Sequence, residues 1–297
     1  MKIHTLTHHP YQIPMTTGQV RFGIIVHMID EEGNESKGEV APLPQWSRET
    51  LAQSIRQLQE KTQAILAVEW TADTCLKELE RLDLYPSVTF GVESALLSIL
   101  APLPPYQVAV SALLMGSPEK IMEHATLRLS EGYTSAKLKV SQLSFEEAAQ
   151  VIQLLKDKFY LRIDVNRAWE TEDSLRFFSQ FPKNTFDYVE EPFKNPKELH
   201  GFEHPLAIDE SFPQDLSLED LEGLPLLKAV VYKPTIQGGM LGCLPIHSWA
   251  KKRGIALVLS SCFESNIGLE YVASIAQRLS LKAPVGTGTR HYMHSQD

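Results

Sequence analysis

The sequence predicts an α/β barrel preceded by a smaller α+β unit, and three observations carry that prediction. From Val108 onward, β-prone runs alternate with helical stretches, the strands beginning near Val108, Ala136, Leu161, Asp187, Leu206, Ala229, Ile255 and Pro284. Seven or eight βα repeats at spacings of roughly 19 to 29 residues read as a closed parallel sheet rather than a sandwich. The first hundred residues instead place three strands before a run of helices, a segregated α+β pattern. Finally, charged groups recur at the ends of four successive strands: Lys137-Leu138-Lys139, Arg162-Ile163-Asp164-Val165-Asn166, Glu190-Glu191-Pro192 and Ile208-Asp209-Glu210. Strand C-terminal ends are where a barrel gathers its catalytic groups. An open doubly wound sheet is the alternative, but neither G-x-G-x-x-G nor G-x-x-x-x-G-K-[ST] follows the early strands.

In the first unit, a strand through Tyr11-Gln12-Ile13-Pro14 breaks at Thr16-Thr17-Gly18-Gln19 and resumes at Val20, which reads as a hairpin or a mobile loop. Gly38-Glu39-Val40-Ala41-Pro42-Leu43-Pro44 is a third strand running into a proline-stiffened loop. Ser47-Arg48-Glu49-Thr50 opens a helix with apolar positions at Leu51, Ile55, Leu58 and Ile65, and further helical patterns cover 71–82 and 87–100. Ala101-Pro102-Leu103-Pro104-Pro105 is a stiff connector, which puts the boundary between a domain 1–104 and a domain 105–297. Beyond it, Ser144-Phe145-Glu146-Glu147 is a capping box, Ser217-Leu218-Glu219-Asp220 a weaker helix start, and 239–253 ends in Lys251-Lys252-Arg253-Gly254, as a helix C-terminus prefers.

The 297 residues are 43% hydrophobic and 22% charged, the balance of an ordinary globular protein. A net charge of −9 argues against a nucleic-acid or anionic-membrane partner, since binding phosphates needs a basic face. Cys75, Cys243 and Cys262 are scattered and odd in number, which disfavours a disulfide framework or zinc site. The first residues lack the apolar core of a signal peptide, and no stretch approaches about 18 apolar residues, so a cytoplasmic location is expected.

Asp164, Glu190 and Asp209 at the ends of three successive strands converge on one mouth. Each alone reads equally well as a capping acid; together they repel and require a cation. Carboxylates without nearby His or Cys select Mg²⁺ or Mn²⁺. Lys137 and Lys139, two residues apart, share one side of their strand, and the intervening Leu138 suits the helix layer. Lys233 ends Ala229-Val230-Val231-Tyr232-Lys233, across a closed barrel from that pair. A lysine base needs its pKa lowered from roughly 10.4 to about 7 or 8, and neighbouring ammonium groups with a divalent ion push it that way. Metal with opposed lysines implies proton abstraction next to a substrate carboxylate.

At these residues the chain resembles the enolase superfamily, for which a Lys or His base with Mg²⁺ around an enediolate is a general pattern. The motifs K-x-K, R-x-D-x-N-R-x-W, E-E-P and D-E-S, then Tyr232-Lys233-Pro234-Thr235 with Gly238-Gly239, and Ser260-Ser261-Cys262-Phe263-Glu264-Ser265, resemble its two-lysine branch. Within that branch they are similar to the o-succinylbenzoate synthase family of menaquinone synthesis. The resemblance implies a modified TIM barrel, (β/α)7β, with an N-terminal α+β capping domain whose loop 16–20 is an active-site lid. It implies Mg²⁺ on Asp164, Glu190 and Asp209, Lys139 as base beside Lys137, and Lys233 as the opposed cation. Arg162, Ser260, Ser261 and Gly286 fall near a small carboxylate substrate. The implied reaction is syn dehydration of 2-succinyl-6-hydroxy-2,4-cyclohexadiene-1-carboxylate to o-succinylbenzoate. Racemisation of N-succinylamino acids by the same two lysines is the alternative. The dipeptide epimerases are less similar, since their Asp-x-Asp near the last strand is replaced by Gly286-Thr287-Gly288-Thr289.

Overall fold

The computed structural model describes residues 1–105 and 107–294. The expected barrel domain 105–297 therefore includes residues 106 and 295–297, which lie outside the described residues.

The chain opens with an antiparallel sheet of β1 (Ile3–Pro14), β2 (Val20–Asp30) and β3 (Glu35–Val40), in that order. Ile24, Val26 and Met28 alternate along β2 and are wholly buried, as the period of two requires for a sheet with one face on a core. That core is closed by α1 (Leu51–Ala67), α2 (Cys75–Leu82) and α3 (Pro86–Leu100). Thr50 caps α1 in a full capping box: its Oγ1 accepts from Gln53 N, and Gln53 Oε1 accepts from Thr50 N at 2.8 Å. The start expected around 47–50 thus falls on Thr50. Helix α3 is buried on every side from Ser87 to Leu97, because it lies between the sheet and the second unit.

Seven parallel strands follow: β4 (Ser111–Leu114), β5 (Ser135–Lys139), β6 (Tyr160–Asp164), β7 (Tyr188–Glu190), β8 (Leu206–Ile208), β9 (Leu227–Tyr232) and β10 (Ala256–Leu259), paired in sequence order. An eighth stave, 284–286, closes them: Val285 pairs with Val110 ahead of β4, and Gly286 with Ser260 after β10, both parallel. The result is the (β/α)7β barrel expected. Its outer layer is α4 (Pro118–Ser130), α5 (Phe145–Leu155), α6 (Thr171–Phe178), α7 (Leu218–Glu222), α8 (Pro234–Gln237), α9 (Gly239–Arg253) and α10 (Asn266–Arg278). Between β7 and β8 the crossover is only a 3₁₀ turn, Pro196–Gly201. Alternate strand residues such as Leu138, Ile163, Val189, Ile208 and Val230 pack outward on the helices, while Tyr188, Ala207, Ala229, Val231 and Val258 fill the lower interior. Those inner side chains leave the upper end of the barrel open.

Two buried carboxylates of the first unit seat helix N-termini of the barrel. Glu39 accepts from Ser265 N and Gly268 N, both at 2.9 Å, at the start of α10. Glu93, on α3, accepts from Met240 N at 2.6 Å and Leu241 N at 2.9 Å at the start of α9, and from the Tyr271 hydroxyl at 2.6 Å. A helix start offers unsatisfied N–H groups and a positive dipole end, which is where an anion is best placed. Gly239 permits this approach, since a Cβ there would lie 2.3 Å from Glu93 Oε1. No helix among the described residues is long and apolar enough to cross a membrane.

Candidate active site

Strand register sets the charged residues in two layers. Lys139 is level with Asp164 and Asp164 with Glu190; one step further in, Lys137 is level with Arg162 and Arg162 with Tyr188. Residues two apart on a strand share a side, and both layers face the barrel interior. There they border a cavity of about 170 Å³. Lys233 enters it from the end of β9, four strands round from β5 in a barrel of eight staves, and so stands opposite the lysine pair. Lys137, Lys139, Arg162, Glu190, Asp209, Lys233, Ser260, Ser261 and Gly286 all line the cavity. Asp164 lies directly behind it, fully buried, and reaches it through the two lysines of β5.

The ammonium groups and the acids are interleaved. Lys137 Nζ lies 2.6 Å from Glu190 Oε1 and 2.9 Å from Asp164 Oδ2. Lys139 Nζ donates to Asn166 Oδ1 at 3.0 Å and stands 3.6 Å from Asp164 Oδ2. Lys233 Nζ pairs with Asp209 Oδ2. Burial alone lowers the pKa of an ammonium group, but the charges of Asp164 and Glu190 outweigh it and hold Lys137 well above the ordinary lysine value. Asp209 does the same for Lys233. The expected lowering rests on neighbouring ammonium groups together with a divalent ion. For these two residues the nearest groups are acids. Burial and the Asp164 charge in turn raise Glu190.

The acids whose oxygens converge differ from the expected three: Asp164 lies outside the cluster and Glu210 takes a place in it. Glu190, Asp209 and Glu210 each present a carboxylate oxygen, and these oxygens lie within 4.8 Å of one another. Sequence reasoning passed over Glu210, although the adjacency Asp209-Glu210 was the available signal. Behind them, Glu191 accepts from Asp209 N at 2.8 Å, Ser211 N at 2.9 Å and the Ser211 hydroxyl, so it fixes the turn that presents Asp209. Burial and then the Glu210 charge push Glu191 up to about 8.

The donor set fits a hard divalent cation. Glu190 Oε2 and Glu210 Oε2 are buried oxygens that make no hydrogen bond, whereas Asp164 Oδ2 already faces the ammonium groups of Lys137 and Lys139. Such oxygens are expensive to bury unless a positive charge answers them. The acidic group contains oxygen donors alone, which suits Mg²⁺ or Mn²⁺.

The remaining expected residues build the floor and one wall. Arg162 Nε donates to Asp187 Oδ2 and Nη1 to Pro284 O, both at 2.9 Å, and its guanidinium lies 5.0 Å from the Tyr188 ring centre. Ser261 Oγ donates to Gly286 O at 2.8 Å. Gly286 packs closely on Ser260: a Cβ there would come within 2.7 Å of Ser260 Oγ, so the serine would have to move. The first unit adds Leu43 and Trp46, and Phe263 joins them from the loop after β10. Loop 16–20 is a tight turn, with Met15 N donating to Gln19 O at 2.8 Å and Gly18 N to Met15 O at 2.9 Å. It does not line the cavity itself; Gln19 and Val20 border an adjoining cleft that shares Leu43, Trp46 and Phe263 with it.

A barrel closed by an eighth stave, fronted by a separate α+β unit and carrying acids at the ends of consecutive strands, matches known proteins throughout its length. Residues 120–294 match the family described as Enolase C-terminal domain-like, and residues 3–99 match the one described as MenC, N-terminal domain. The chain belongs to the enolase superfamily of enzymes. Among its relatives is a protein of Pasteurella multocida (strain Pm70) named o-succinylbenzoate synthase, 31% identical over 93% of this chain and 84% of its own. In fold the chain is similar to MenC from Desulfotalea psychrophila LSv54, with a TM-score of 0.78 at 19% identity over 96% of this chain and 93% of the other. It is also similar to a dipeptide epimerase from Methylococcus capsulatus complexed with Mg and the dipeptide L-Arg-D-Lys, with a TM-score of 0.84 at 19% identity over 100% and 93%.

Proposed function

We propose that this chain is an o-succinylbenzoate synthase that dehydrates 2-succinyl-6-hydroxy-2,4-cyclohexadiene-1-carboxylate by a syn elimination. The observation that carries the reading is the opposition of Lys139 and Lys233 across one cavity beside four carboxylates. The relative's name at 31% identity over nearly the whole chain supports the choice of substrate.

Asp164, Glu190 and Asp209 would hold the cation, with Glu210 alongside. When bound there, a divalent ion supplies Lewis acidity to the substrate carboxylate and so acidifies its α-proton. Lys139, as the free amine, takes that proton from the ring carbon. Lys233 stays charged on the other face and stabilises the enediolate electrostatically. Lys139 then returns the proton to the departing hydroxyl, which leaves as water; the carboxylate re-forms, the ring becomes aromatic and the amine is restored. Lys137, tied to Asp164 and Glu190, keeps those acids compensated. Leu43, Trp46 and Phe263 exclude water from the mouth.

We take 1–104 as a capping domain and 105–297 as the catalytic barrel, a division supported by the separate matches over 3–99 and 120–294. Three free, buried cysteines suit a reducing cytoplasm. The two-faced lysine arrangement also favours a second reading, racemisation of N-succinylamino acids, in which each lysine serves one enantiomer. Assays of the purified protein with the cyclohexadiene substrate, and with N-succinyl amino acids in deuterated water, separate the two. Dehydration supports the synthase; α-deuteration with racemisation and no dehydration overturns it.

A further inference from the structure

The segment after the closing stave has two sets of bonds that meet at one side chain. On one side it is part of the cavity: Gly286, Gly288 and Thr289 line it, and Thr289 Oγ1 lies 2.7 Å from Ser261 Oγ. A few residues on, it reaches the β1–β2 turn. Thr16 N donates to Tyr292 O at 2.9 Å, Met15 pairs antiparallel with Met293, and His294 N donates to Pro14 O at 3.0 Å. The tail thus adds a third strand to the turn end of the hairpin, on the side of β1 away from β2.

Tyr292 is the fixed point between the two. Its side chain is buried, and its hydroxyl donates to Leu113 O at 3.0 Å and accepts from Met115 N at 3.2 Å. His124 Nδ1 lies 3.1 Å away. The hydroxyl has a single proton, which goes to Leu113 O, so His124 meets it as a donor. Leu113 itself lines the cavity. One residue therefore connects a cavity-lining strand of the barrel, through its hydroxyl, to the root of a turn in the first unit, through its carbonyl. An isolated two-stranded hairpin end holds its geometry poorly in water, and a docked third strand constrains it.

We infer that Tyr292 is a positioning residue which ties the β1–β2 turn to the cavity wall and so sets where the turn stands over the mouth. The consequence for turnover rests on the function proposed above, because it takes the cleft beside Trp46 as the route of a bound carboxylate; the tether itself does not.

The test is Tyr292→Phe in the full chain, read by hydrogen exchange and by kinetics. Amides of Met15, Thr16 and Gly18 should exchange about tenfold faster, with β2 beyond Ile24 and strand β6 unchanged. KM for the cyclohexadiene substrate should rise about three- to tenfold with kcat held within about twofold. His294→Pro, which deletes the N–H given to Pro14 O, should speed the same turn amides if Tyr292→Phe fails to fold. Unchanged exchange at the turn, or acceleration spread evenly over the whole chain, would overturn the tether; a fall in kcat at constant KM would overturn its consequence for turnover. Since exchange needs no turnover, a wild-type protein that fails to dehydrate overturns the proposed function and leaves the exchange result to decide the tether.

Discussion

The indole of Trp46, from the first unit, lies over Lys233 of the barrel, with Nζ 4.6 Å from the ring centre. The contact joins a loop of one unit to the cavity wall of the other through geometry the fold imposes: the proline-stiffened run Pro42-Leu43-Pro44 brings the ring down onto the mouth. A cation over an aromatic face is worth roughly 0.5–2 kcal/mol, more as water is excluded. Trp46→Ala should therefore lower kcat/KM for dehydration about 2- to 30-fold, and Trp46→Phe should recover most of it. Steady-state kinetics of the two variants side by side provide the check.

Removing the amine on either face should stop the chemistry. Lys139→Ala should lower kcat by about 10²–10⁴-fold, the range for loss of a general base. Lys233→Ala should do as much, and it also leaves Asp209 without its ion-pair partner. Circular dichroism on both proteins shows whether the fold survives; dehydration at wild-type rate in both would remove the lysine mechanism.

Glu191 touches no substrate position but holds Asp209 and Ser211 through their N–H groups. Substitution of a group that orients a metal ligand typically weakens metal affinity about 10–100-fold, and Glu191→Gln should fall in that range for Mg²⁺. Titration calorimetry of chelator-treated protein measures it. In the same experiment, Glu210→Gln distinguishes a carboxylate that binds the cation from one that only accompanies Asp209.

Glu93 gives the fold a pH dependence of definite sign. Burial pushes its carboxyl up to about 7, against an ordinary value of 4.5. Between those values the folded protein keeps a proton that the unfolded chain has lost, so stability falls as pH rises through the window and levels off above it. At about 1.4 kcal/mol per unit, the total is on the order of 3 kcal/mol. Denaturant melts of wild type and Glu93→Gln from pH 4.5 to 8 should show a difference that narrows or reverses only across this window; parallel curves would refute the assignment.

The seam between β3 and α3 is set by backbone rather than side chains. A Cβ on Gly38 would lie 1.9 Å from Gly91 O. Gly38→Ala should lower stability by at least about 1–3 kcal/mol, as overpacking does, and lower the melting temperature accordingly.

Much of the site could be read from the chain because a strand has a local rule. Spacing of two puts Lys137 and Lys139 on one side, and an acid at the end of each successive strand must arrive at one rim. Parallel register then made Lys139, Asp164 and Glu190 level, as three adjacent strands of like length allow. What stayed hidden was set by loops and distant pairing. Trp46 and Phe263 reach the mouth from connections whose course no periodicity encodes. Glu39 and Glu93 sat in motifs without a visible partner, since their partners are helix N–H groups more than a hundred residues away. Arg162 and Ser261 line the cavity, yet both spend donors on the stave 284–286. The lysines' surroundings could not be foreseen either, because which charge lies nearest depends on a few ångströms of side-chain reach.

The closing stave has a bearing on how the molecule is made. Val285 pairs with Val110 and Gly286 with Ser260, so the free edges of the first and last strands of the seven stay open until the distant segment 284–286 docks between them. Until then β4 and β10 both present unpaired backbone, a template for pairing with other copies. A barrel in which 284–286 has not docked therefore has most of its core but no sealed wall, and closing it needs a slow pairing between residues far apart in sequence, which leaves time for aggregation.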